Sequence, residues 1–386
     1  MRILLTSDWY TPAVNGVVTS VLNLKAGLEA RGHDVRVLTL SQNLHSYYQD
    51  GVTYIGSLNA DMVYPGARMR LGFQRRWVQE ILDWHPAVIH SNCEFFTFFL
   101  AHHLAEELDI PLVHTYHTVY EDYTHYFSPS PAYGRHLVRN FTRWVAHRTN
   151  AMIVPTEKVA VLLRKYGVRQ PIYVIPSGID LSQFQQALPE EEVSRMRRKL
   201  GIPEGNTVLA SIGRLAKEKN STELLDGLTA FRGKPVTMLF VGDGPYRAEV
   251  QDHAASLGMT EQVIFTGMVP PEDVWKYYRL GDLFLCASTS ETQGLTYMEA
   301  LASGLPVLCR KDACVDGVVV DDENGWQYRD LAEFRARLEY FLEHREVWPA
   351  LRAAALESSH RFSVPFFAQH VEQVYQEQLS GLSYLI

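Results

Sequence analysis

Short apolar runs alternate with helical segments along almost the whole chain, and this pattern constrains the fold more than any other feature. In the first half the strand-like runs are 2–6, 34–40, 87–90, 112–116 and 151–154, and the helical segments are 15–31, 74–84, 95–108 and 132–148. Alternation of strand and helix is typical of a parallel sheet that is covered by helices on both faces. The sequence therefore predicts a doubly wound α/β first half.

The alternation stops once and then begins again. Residues 175–180 combine a proline, a glycine and polar residues, as is typical of a hinge. Strand-like runs follow at 208–212, 237–241, 262–266, 282–287 and 306–309. Because 386 residues exceed one typical core, we predict two domains, 1–178 and 179–363. The remaining segment, 364–386, begins with an amphipathic helix that carries Phe366, Phe367, Val371 and Val374 on one side.

The composition is that of a globular protein, with 46% hydrophobic and 21% charged residues. The residues at the N-terminus form a short strand rather than a signal peptide, and no apolar run approaches the length of a bilayer span. We therefore expect a cytoplasmic protein that is soluble or peripheral to the membrane. Reduced thiols are expected because no C-x-x-C pair or metal-ligand spacing occurs among the cysteines, which are Cys93, Cys286, Cys309 and Cys314.

A loop–helix–strand segment from Glu291 to Leu308 carries the strongest functional signal. Glu291 lies in a loop, Glu299 lies eight positions later inside the helix, and Gly304 ends that helix. A helix N-terminus presents unpaired N–H groups that suit hydroxyl and phosphate oxygens. Two carboxylates at this spacing can bind two polyols at once. The alternative interpretation is an ordinary loop and helix with two glutamates on the surface.

The complete string from Glu291 to Leu308, ETQGLTYMEALASGLPVL, resembles the E-x7-E signature of retaining GT-B glycosyltransferases of glycosyltransferase family 4. This resemblance implies two Rossmann-like domains whose parallel sheets face each other across a cleft. It also implies that the C-terminal helix crosses back to the first domain. Ligands of such sheets bind beyond the carboxyl ends of the strands, where the motifs of this sequence also lie.

The resemblance also implies a nucleotide-sugar site. Arg214 and Lys219, five positions apart after a strand, would neutralise the donor diphosphate, although a basic pair at a helix start is often only solvated. Glu299 would bind the ribose, and Glu291 the donor sugar. Gln293 stands where the family commonly has Phe, so the identity of the hexose stays open. The remaining implied donor contacts are Gly16, Gly213, Val269 and the backbone N–H groups of Gln293, Gly294 and Leu295.

A second motif in the first half refines the resemblance. His117 follows a strand and matches the family histidine near the donor sugar, while a core histidine is the simpler interpretation. The surrounding string, H-T-x-Y-E-x-Y-x-H-Y, is similar to the branch that makes glycosyl-diacylglycerols. It implies that Tyr120, Glu121 and Tyr123 line the acceptor entrance. Metal binding by the nearby histidines is not favoured by their spacing.

Basic and aromatic residues are interleaved in two segments of the first half. Segment 132–148 has arginines at four-residue steps, and no acid occurs from 123 to 156. Basic helices with aromatic residues bind anionic bilayers, but an ordinary amphipathic helix with a solvated arginine face is the alternative. The predicted membrane residues of this helix are Arg135, Arg139, Arg143 and Trp144. The second patch has Arg68, Arg70, Arg75 and Arg76 between apolar residues.

Together these features predict a retaining hexosyltransferase that uses a UDP-sugar, with glucose as the expected hexose and diacylglycerol as the expected acceptor. The catalytic residues would be His117, Arg214, Lys219 and Glu291. The open alternatives are a glycosylated diacylglycerol, another lipid or a soluble glycan as acceptor, and a GT-B-type sugar-nucleotide epimerase. Neither a bound cofactor nor a metal site is predicted, and the sequence does not decide whether Mg²⁺ activates the enzyme. Nucleic-acid binding is not expected, because the net charge is −8 and no module of that kind occurs.

Overall fold

The computed structural model describes residues 1–13, 15–60, 68–69, 75–121 and 130–383. The chain forms two compact units. The first unit comprises Met1–Gly178 together with the C-terminal segment from Val364, and the second comprises Ile179–Ser363.

In its described residues, the first unit contains an eight-stranded sheet with the order β10-β9-β8-β7-β1-β2-β4-β3 and a separate two-stranded hairpin, β5-β6. All neighbours in the large sheet are parallel except β3 and β4. The strands are β1 Arg2–Ser7, β2 Asp34–Leu40, β3 Tyr47–Gln49, β4 Val52–Ile55, β5 Leu58–Asn59, β6 Arg68–Met69, β7 Val88–Ser91, β8 Leu112–Thr115, β9 Ala151–Val154 and β10 Ile172–Val174. The helices between them are α1 Gly16–Ala30, α2 Arg75–Trp84, α3 Phe96–Leu108, α4 Pro131–Ala146 and α5 Glu157–Tyr166.

The second unit contains a six-stranded parallel sheet with the order β13-β12-β11-β14-β15-β16. Its strands are β11 Thr207–Ile212, β12 Val236–Val241, β13 Val263–Phe265, β14 Leu283–Cys286, β15 Val307–Arg310 and β16 Gly325–Tyr328. Its helices are α6 Leu181–Phe184, α7 Glu190–Lys199, α8 Ser221–Leu228, α9 Arg247–Ser256, α10 Val274–Leu280, α11 Leu295–Ala302, α12 Leu331–Glu343 and α13 Trp348–Ser359.

Both sheets are buried on both faces, which explains why their central strands are mostly apolar. In β1, Ile3 and Leu5 belong to one hydrophobic cluster and Leu4 belongs to another. In β11, Val208 and Ala210 pack on one side and Leu209 on the other. Successive side chains of a strand point to opposite faces, so helices on both faces require apolar residues at every position.

The last helix, α14 Val364–Ser383, packs on α1 of the first unit, as the sequence predicts. Val371 and Tyr375 are fully buried, and the Tyr375 hydroxyl lies 2.6 Å from Nδ1 of His90 in β7. The predicted buried side of this helix is wrong at one position. Phe366 is 37% exposed, because the helical period places positions 367, 371, 374 and 375 on the inner face.

Gly27 sets how closely α1 and α14 approach. A Cβ at Gly27 would lie 2.7 Å from the Cβ of Ala368 and 2.9 Å from Cγ1 of Val364. Carbon atoms do not approach this closely without displacement of the helix, and such overpacking typically costs about 1–3 kcal/mol.

We therefore expect Gly27→Ala to lower the free energy of unfolding by about 1–3 kcal/mol, although alanine is the better helix former. The matched control is Gly381→Ala in α14, where an added Cβ would meet nothing within 4 Å. The control should be neutral or stabilising in urea unfolding followed by circular dichroism. Equal stability of the two variants would contradict the close α1–α14 packing.

Candidate active site

The polar cluster of the first unit lies at the carboxyl ends of three adjacent strands. Asp8 follows β1, Asn92 and Glu94 follow β7, and His117 and Tyr120 follow β8, which are neighbours in the order β8-β7-β1. Carboxyl ends of parallel strands share one edge of a sheet, where ligands of open α/β sheets bind. The sequence placed His117 and Tyr120 in this site but gave no role to the other three residues.

His117 is held as a neutral imidazole. Burial and, to a smaller extent, the neighbouring His114 lower the pKa of His117 to about 3. Its Nε2 lies 3.1 Å from Oδ1 of Asn92. In a neutral ring the nitrogen that faces this carbonyl oxygen donates the proton, so Nδ1 is unprotonated and can accept a hydrogen bond from a hydroxyl.

Glu94 connects the remaining polar groups of this edge. Its side chain is 3% exposed, with Oε1 lying 3.3 Å from Nε2 of His114. The Tyr120 hydroxyl donates to the other oxygen, Oε2, at 2.5 Å. Burial, followed by the charge of Glu94, raises the pKa of Tyr120 well above its ordinary value. Tyr120 is therefore a neutral phenol whose position is fixed by its hydrogen bond to Glu94.

Asp8 fixes the start of α3 beside Glu94. Its Oδ1 accepts the backbone N–H of Thr97 at 2.8 Å, and the other oxygen is buried with no partner among the described residues. Burial is the main reason that the pKa of Asp8 rises to about 6, and the nearby Glu94 charge adds to the effect. This carboxyl therefore gains or loses a proton near neutral pH.

In the second unit the motif residues converge at the carboxyl ends of β11 and β14, which are adjacent strands. The Lys219 ammonium donates to Oε1 of Glu291, and both side chains are half-buried. These residues are 72 positions apart in the chain. Two of the predicted donor-site residues are therefore in direct contact, which places a cation and a carboxylate at one point of the sheet edge.

Two glycines in the turn after β12 allow the loop after β11 to pack closely against that turn. A Cβ at Gly242 would lie 2.2 Å from the carbonyl oxygen of Gly213, and one at Gly244 equally close to that of Leu215. The 242–244 turn therefore has a structural role, which is to let this loop approach. Arg214 leaves the loop with a side chain that is 53% exposed and pairs with Glu218.

The backbone before α11 requires glycine. Gly294 has φ +71°, and a Cβ there would lie 2.5 Å from the ring of Tyr297. The helix begins at Leu295, so its first N–H groups have no acceptor within the helix. The Gln293 side chain is 6% exposed and donates from Nε2 to the sulfur of Met298 at 3.0 Å. Because its side chain is engaged with Met298, Gln293 would contact a ligand through its backbone N–H.

Glu299 has a partner that sequence reasoning missed. The hydroxyl of Tyr278, a fully buried residue of α10, donates to Oε2 of Glu299 at 2.7 Å. Burial raises the pKa of the half-buried Glu299, and the hydrogen bond from Tyr278 opposes that shift. Tyr278 thus orients the carboxylate and favours its ionised form. The signal available in the sequence was only an apolar helix pattern at 274–280.

Val269 and Gly16 occupy backbone positions of the kind that a ligand can approach. The Val269 side chain is buried in the core, and its neighbour Met268 is 77% exposed. Gly16 is exposed at the start of α1, and the side chain of Asn15 caps that helix by accepting from Val18 N–H at 3.0 Å. Contact of Val269 or Gly16 with a donor ligand would therefore be made by the backbone and stays a prediction.

Most of the predicted membrane residues that the structure describes are exposed, but Arg68 of the second patch is half-buried. Arg135, Arg139 and Arg143 are exposed on α4, whereas Trp144 is half-buried. Arg75 and Arg76 are exposed on α2, and Arg76 pairs with Glu80 at 3.1 Å. Glu121 is half-buried next to Tyr120. Two predicted residues, Arg70 and Tyr123, lie outside the described residues.

Within the described residues, no group of three or more His, Cys, Asp and Glu side chains could hold a metal ion. Likewise, no described helix combines the length and the apolar composition needed to cross a membrane.

Comparison with known proteins agrees with this arrangement. The sequence model described as Glycosyltransferase Family 4 matches residues 14–183, and the model described as Glycosyl transferases group 1 matches residues 192–357. An alpha-monoglucosyldiacylglycerol synthase of Streptococcus pneumoniae is 36% identical over 85% of this chain and 75% of its own length. The enzyme of the same name from Acholeplasma laidlawii is 32% identical over 97% of this chain and 96% of its own length.

Solved structures show the same fold at low sequence identity. Anabaena HepE in complex with UDP has a TM-score of 0.76 at 20% identity, covering 98% of this chain and 100% of that one. Sucrose-phosphate synthase from Thermosynechococcus elongatus has a TM-score of 0.76 at 19% identity, covering 98% and 99%. The predicted α/β GT-B fold is therefore confirmed, and the chain belongs to glycosyltransferase family 4.

Proposed function

We propose that this glycosyltransferase is a retaining enzyme that transfers glucose from UDP-glucose to the free hydroxyl of 1,2-diacylglycerol at a cytoplasmic membrane surface. The observation that carries the proposal is the similarity, over 97% of the chain, to a protein named alpha-monoglucosyldiacylglycerol synthase. The Lys219–Glu291 contact, the half-buried Glu299 and the basic helix α4 support it independently.

The donor is assigned to the second unit. Lys219 and Arg214 neutralise the charge that develops on the leaving diphosphate, which is the main electrostatic demand of glycosyl transfer from a nucleotide. Glu291 accepts hydrogen bonds from the sugar hydroxyls, and the N–H groups at the start of α11 donate hydrogen bonds to their oxygens. Glu299, oriented by Tyr278, binds the ribose. The titles of the HepE structures name UDP, UDP with glucose, and UDP-glucose as ligands of that protein, which supports a uridine nucleotide as donor.

The acceptor is assigned to the first unit. In the front-face route that the resemblance implies, the leaving phosphate itself takes the proton of the acceptor hydroxyl. The neutral His117 supplies Nδ1 as an acceptor for a hydroxyl and adds no positive charge. Tyr120 and Glu121 line the approach, and the arginines of α4 hold the protein on anionic lipid, each contributing about 1 kcal/mol near the surface.

The deciding experiment incubates the protein with radiolabelled UDP-glucose and vesicles that contain diacylglycerol. We expect label in a lipid product with an α-anomeric linkage. Label in a soluble product alone would overturn the lipid acceptor, and an epimerised nucleotide sugar without transfer would overturn transferase chemistry.

Lys219→Ala should lower kcat at least a hundredfold, because removal of one preorganised charge costs about 3–4 kcal/mol. Lys217→Ala, at an exposed lysine of the same turn, should leave kcat within twofold.

The role of Tyr278 gives a pH prediction. Tyr278→Phe removes the hydrogen bond that lowers the pKa of Glu299, so the pKa rises further and Glu299 becomes protonated at a higher pH. The affinity for UDP should fall about fivefold at pH 7, and its loss on acidification should begin at a higher pH than in the wild type. Calorimetry from pH 5 to 8 measures both effects.

In this titration 2′,3′-dideoxyuridine diphosphate is the control ligand, since it lacks the ribose hydroxyls. Its affinity should be equal for the wild type and Tyr278→Phe. An equal loss for both nucleotides would assign Tyr278 to general stability instead of ribose binding.

Membrane binding is tested by charge reversal on α4. Replacing Arg135, Arg139 and Arg143 together with Glu should abolish sedimentation with phosphatidylglycerol vesicles at low salt. The matched control makes the same change at exposed arginines of the second unit, which are Arg195, Arg198 and Arg329. Equal loss in both variants would attribute binding to net charge alone, and unchanged binding of the α4 variant would contradict the docking helix.

A further inference from the structure

Five aromatic rings form a continuous row on the surface of the first unit. Consecutive ring centroids along the row lie 5.2, 6.0, 5.9 and 5.8 Å apart. The members of this aromatic row, in spatial order, are Phe99, Trp144, Phe141, Phe95 and Tyr120. The row therefore begins on the outer surfaces of α3 and α4 and ends at the carboxyl end of β8.

The row is accessible along its length although it is built from large apolar side chains. Phe99 is 44% exposed and Phe95 is 48% exposed, while the other three rings are half-buried. On α4 the apolar surface continues from Phe141 to Leu137 and Tyr133, which are 40% and 59% exposed. An extended exposed apolar surface is unusual on a soluble protein and marks a site of contact with an apolar partner.

The two ends of the row have different chemistry. At the outer end the arginines of α4 flank the rings, and the Arg148 guanidinium lies 4.0 Å from the Trp144 ring. At the inner end the Tyr120 hydroxyl is fixed by the buried carboxylate of Glu94, the residue directly before Phe95. A ligand that matches this surface is apolar along its length and carries a hydroxyl at one end.

We propose that the aromatic row binds one acyl chain of the lipid acceptor, so that the glycerol hydroxyl reaches the carboxyl ends of β7 and β8 beside Tyr120. This inference rests on the proposed function and adds a path for the acceptor within it. Rings in a row offer a flat apolar face that an acyl chain can cover without a closed cavity. The row thereby selects acceptors with long chains, while the arginines select the surface on which the protein is bound.

The kinetic test uses Phe95→Ala in mixed micelles. The KM for dioleoylglycerol should rise about tenfold, because a ring-sized apolar contact is lost. The KM for dioctanoylglycerol should rise by a similar factor, because Phe95 is the ring next to Tyr120 and a short acyl chain also reaches it. The kcat and the donor KM should stay within twofold, as expected for uniform acceptor binding. Phe95→Leu, which keeps an apolar side chain, should restore most of the acceptor KM. An unchanged acceptor KM in Phe95→Ala would overturn the proposal.

Two controls separate acceptor binding from docking and from folding. Phe366→Ala removes a ring that is 37% exposed and contacts His370 instead of the row, and it should leave the acceptor KM unchanged. Sedimentation of Phe95→Ala with anionic vesicles should match the wild type, because the arginines of α4 are intact. Loss of sedimentation in parallel with the KM effect would assign Phe95 to docking and overturn the acceptor path.

A second measurement does not depend on turnover. A diacylglycerol with a photoactivatable diazirine on one acyl chain, carried in phosphatidylglycerol vesicles, should label peptides that contain Phe95–Phe99 or Phe141–Trp144, and Phe95→Ala should reduce that labelling. Labelling of this surface without glucosyl transfer would overturn the proposed function but not the proposed lipid binding by the aromatic row. Transfer with labelling elsewhere would overturn lipid binding by the row. If neither transfer nor labelling is observed, both proposals are overturned.

Discussion

Parallel pairing of neighbouring strands determines where the candidate site residues of this protein lie. In the first unit the order β8-β7-β1 brings together residues that follow three separate strands, and in the second unit β11 and β14 do the same for Lys219 and Glu291. Helices cover both faces of each sheet, so most positions of the central strands are apolar. Polar residues are concentrated after the strands, at the edge of the sheet where the carboxyl ends of the strands and the N-termini of helices can bind a ligand.

The same constraint explains which elements the sequence predicted well. Long alternating segments such as β2 and α3 are determined by local periodicity, and their predicted bounds agree with the structure to within a residue or two. The short strands β3, β4, β5, β6, β10 and β16 were not predicted. They lie at or beside a sheet edge or in the two-stranded hairpin, so they carry too little apolar pattern and exist as strands only through their neighbours. The orientation of Phe366 was wrong for a related reason, since packing on α1 selects the inner face of α14 and the tail pattern alone is ambiguous.

The residues of the candidate site also fall into those that the sequence predicts and those that it does not. Motif residues such as Glu291 and Gly294 are identifiable because their chemistry and spacing are local in the sequence. Their supporting contacts are long-range: Tyr278 reaches Glu299 from another helix, and Tyr120 meets a carboxylate 26 positions away. Glu94 follows a predicted strand, so the rule that polar residues collect at strand ends would have selected it. Tyr278 has no such signal, because a buried tyrosine in an apolar helix resembles any core residue.

The two groups of cations in the chain differ in a way that fits their proposed partners. In the second unit Lys219 and Arg214 each contact a carboxylate, Glu291 and Glu218. A paired cation attracts a bare anion weakly, and it favours a ligand that offers a diphosphate to the cation and hydroxyls to the carboxylate. By contrast, within the described residues no carboxylate pairs with Arg135, Arg139 or Arg143 on α4, whose own segment contains no acid. Exposed arginines along one helix suit a surface with many anions and no fixed geometry, as a lipid bilayer has. The Lys219–Glu291 and Arg214–Glu218 pairs therefore support the proposed nucleotide-sugar donor, and the exposed arginines of α4 support the proposed membrane contact.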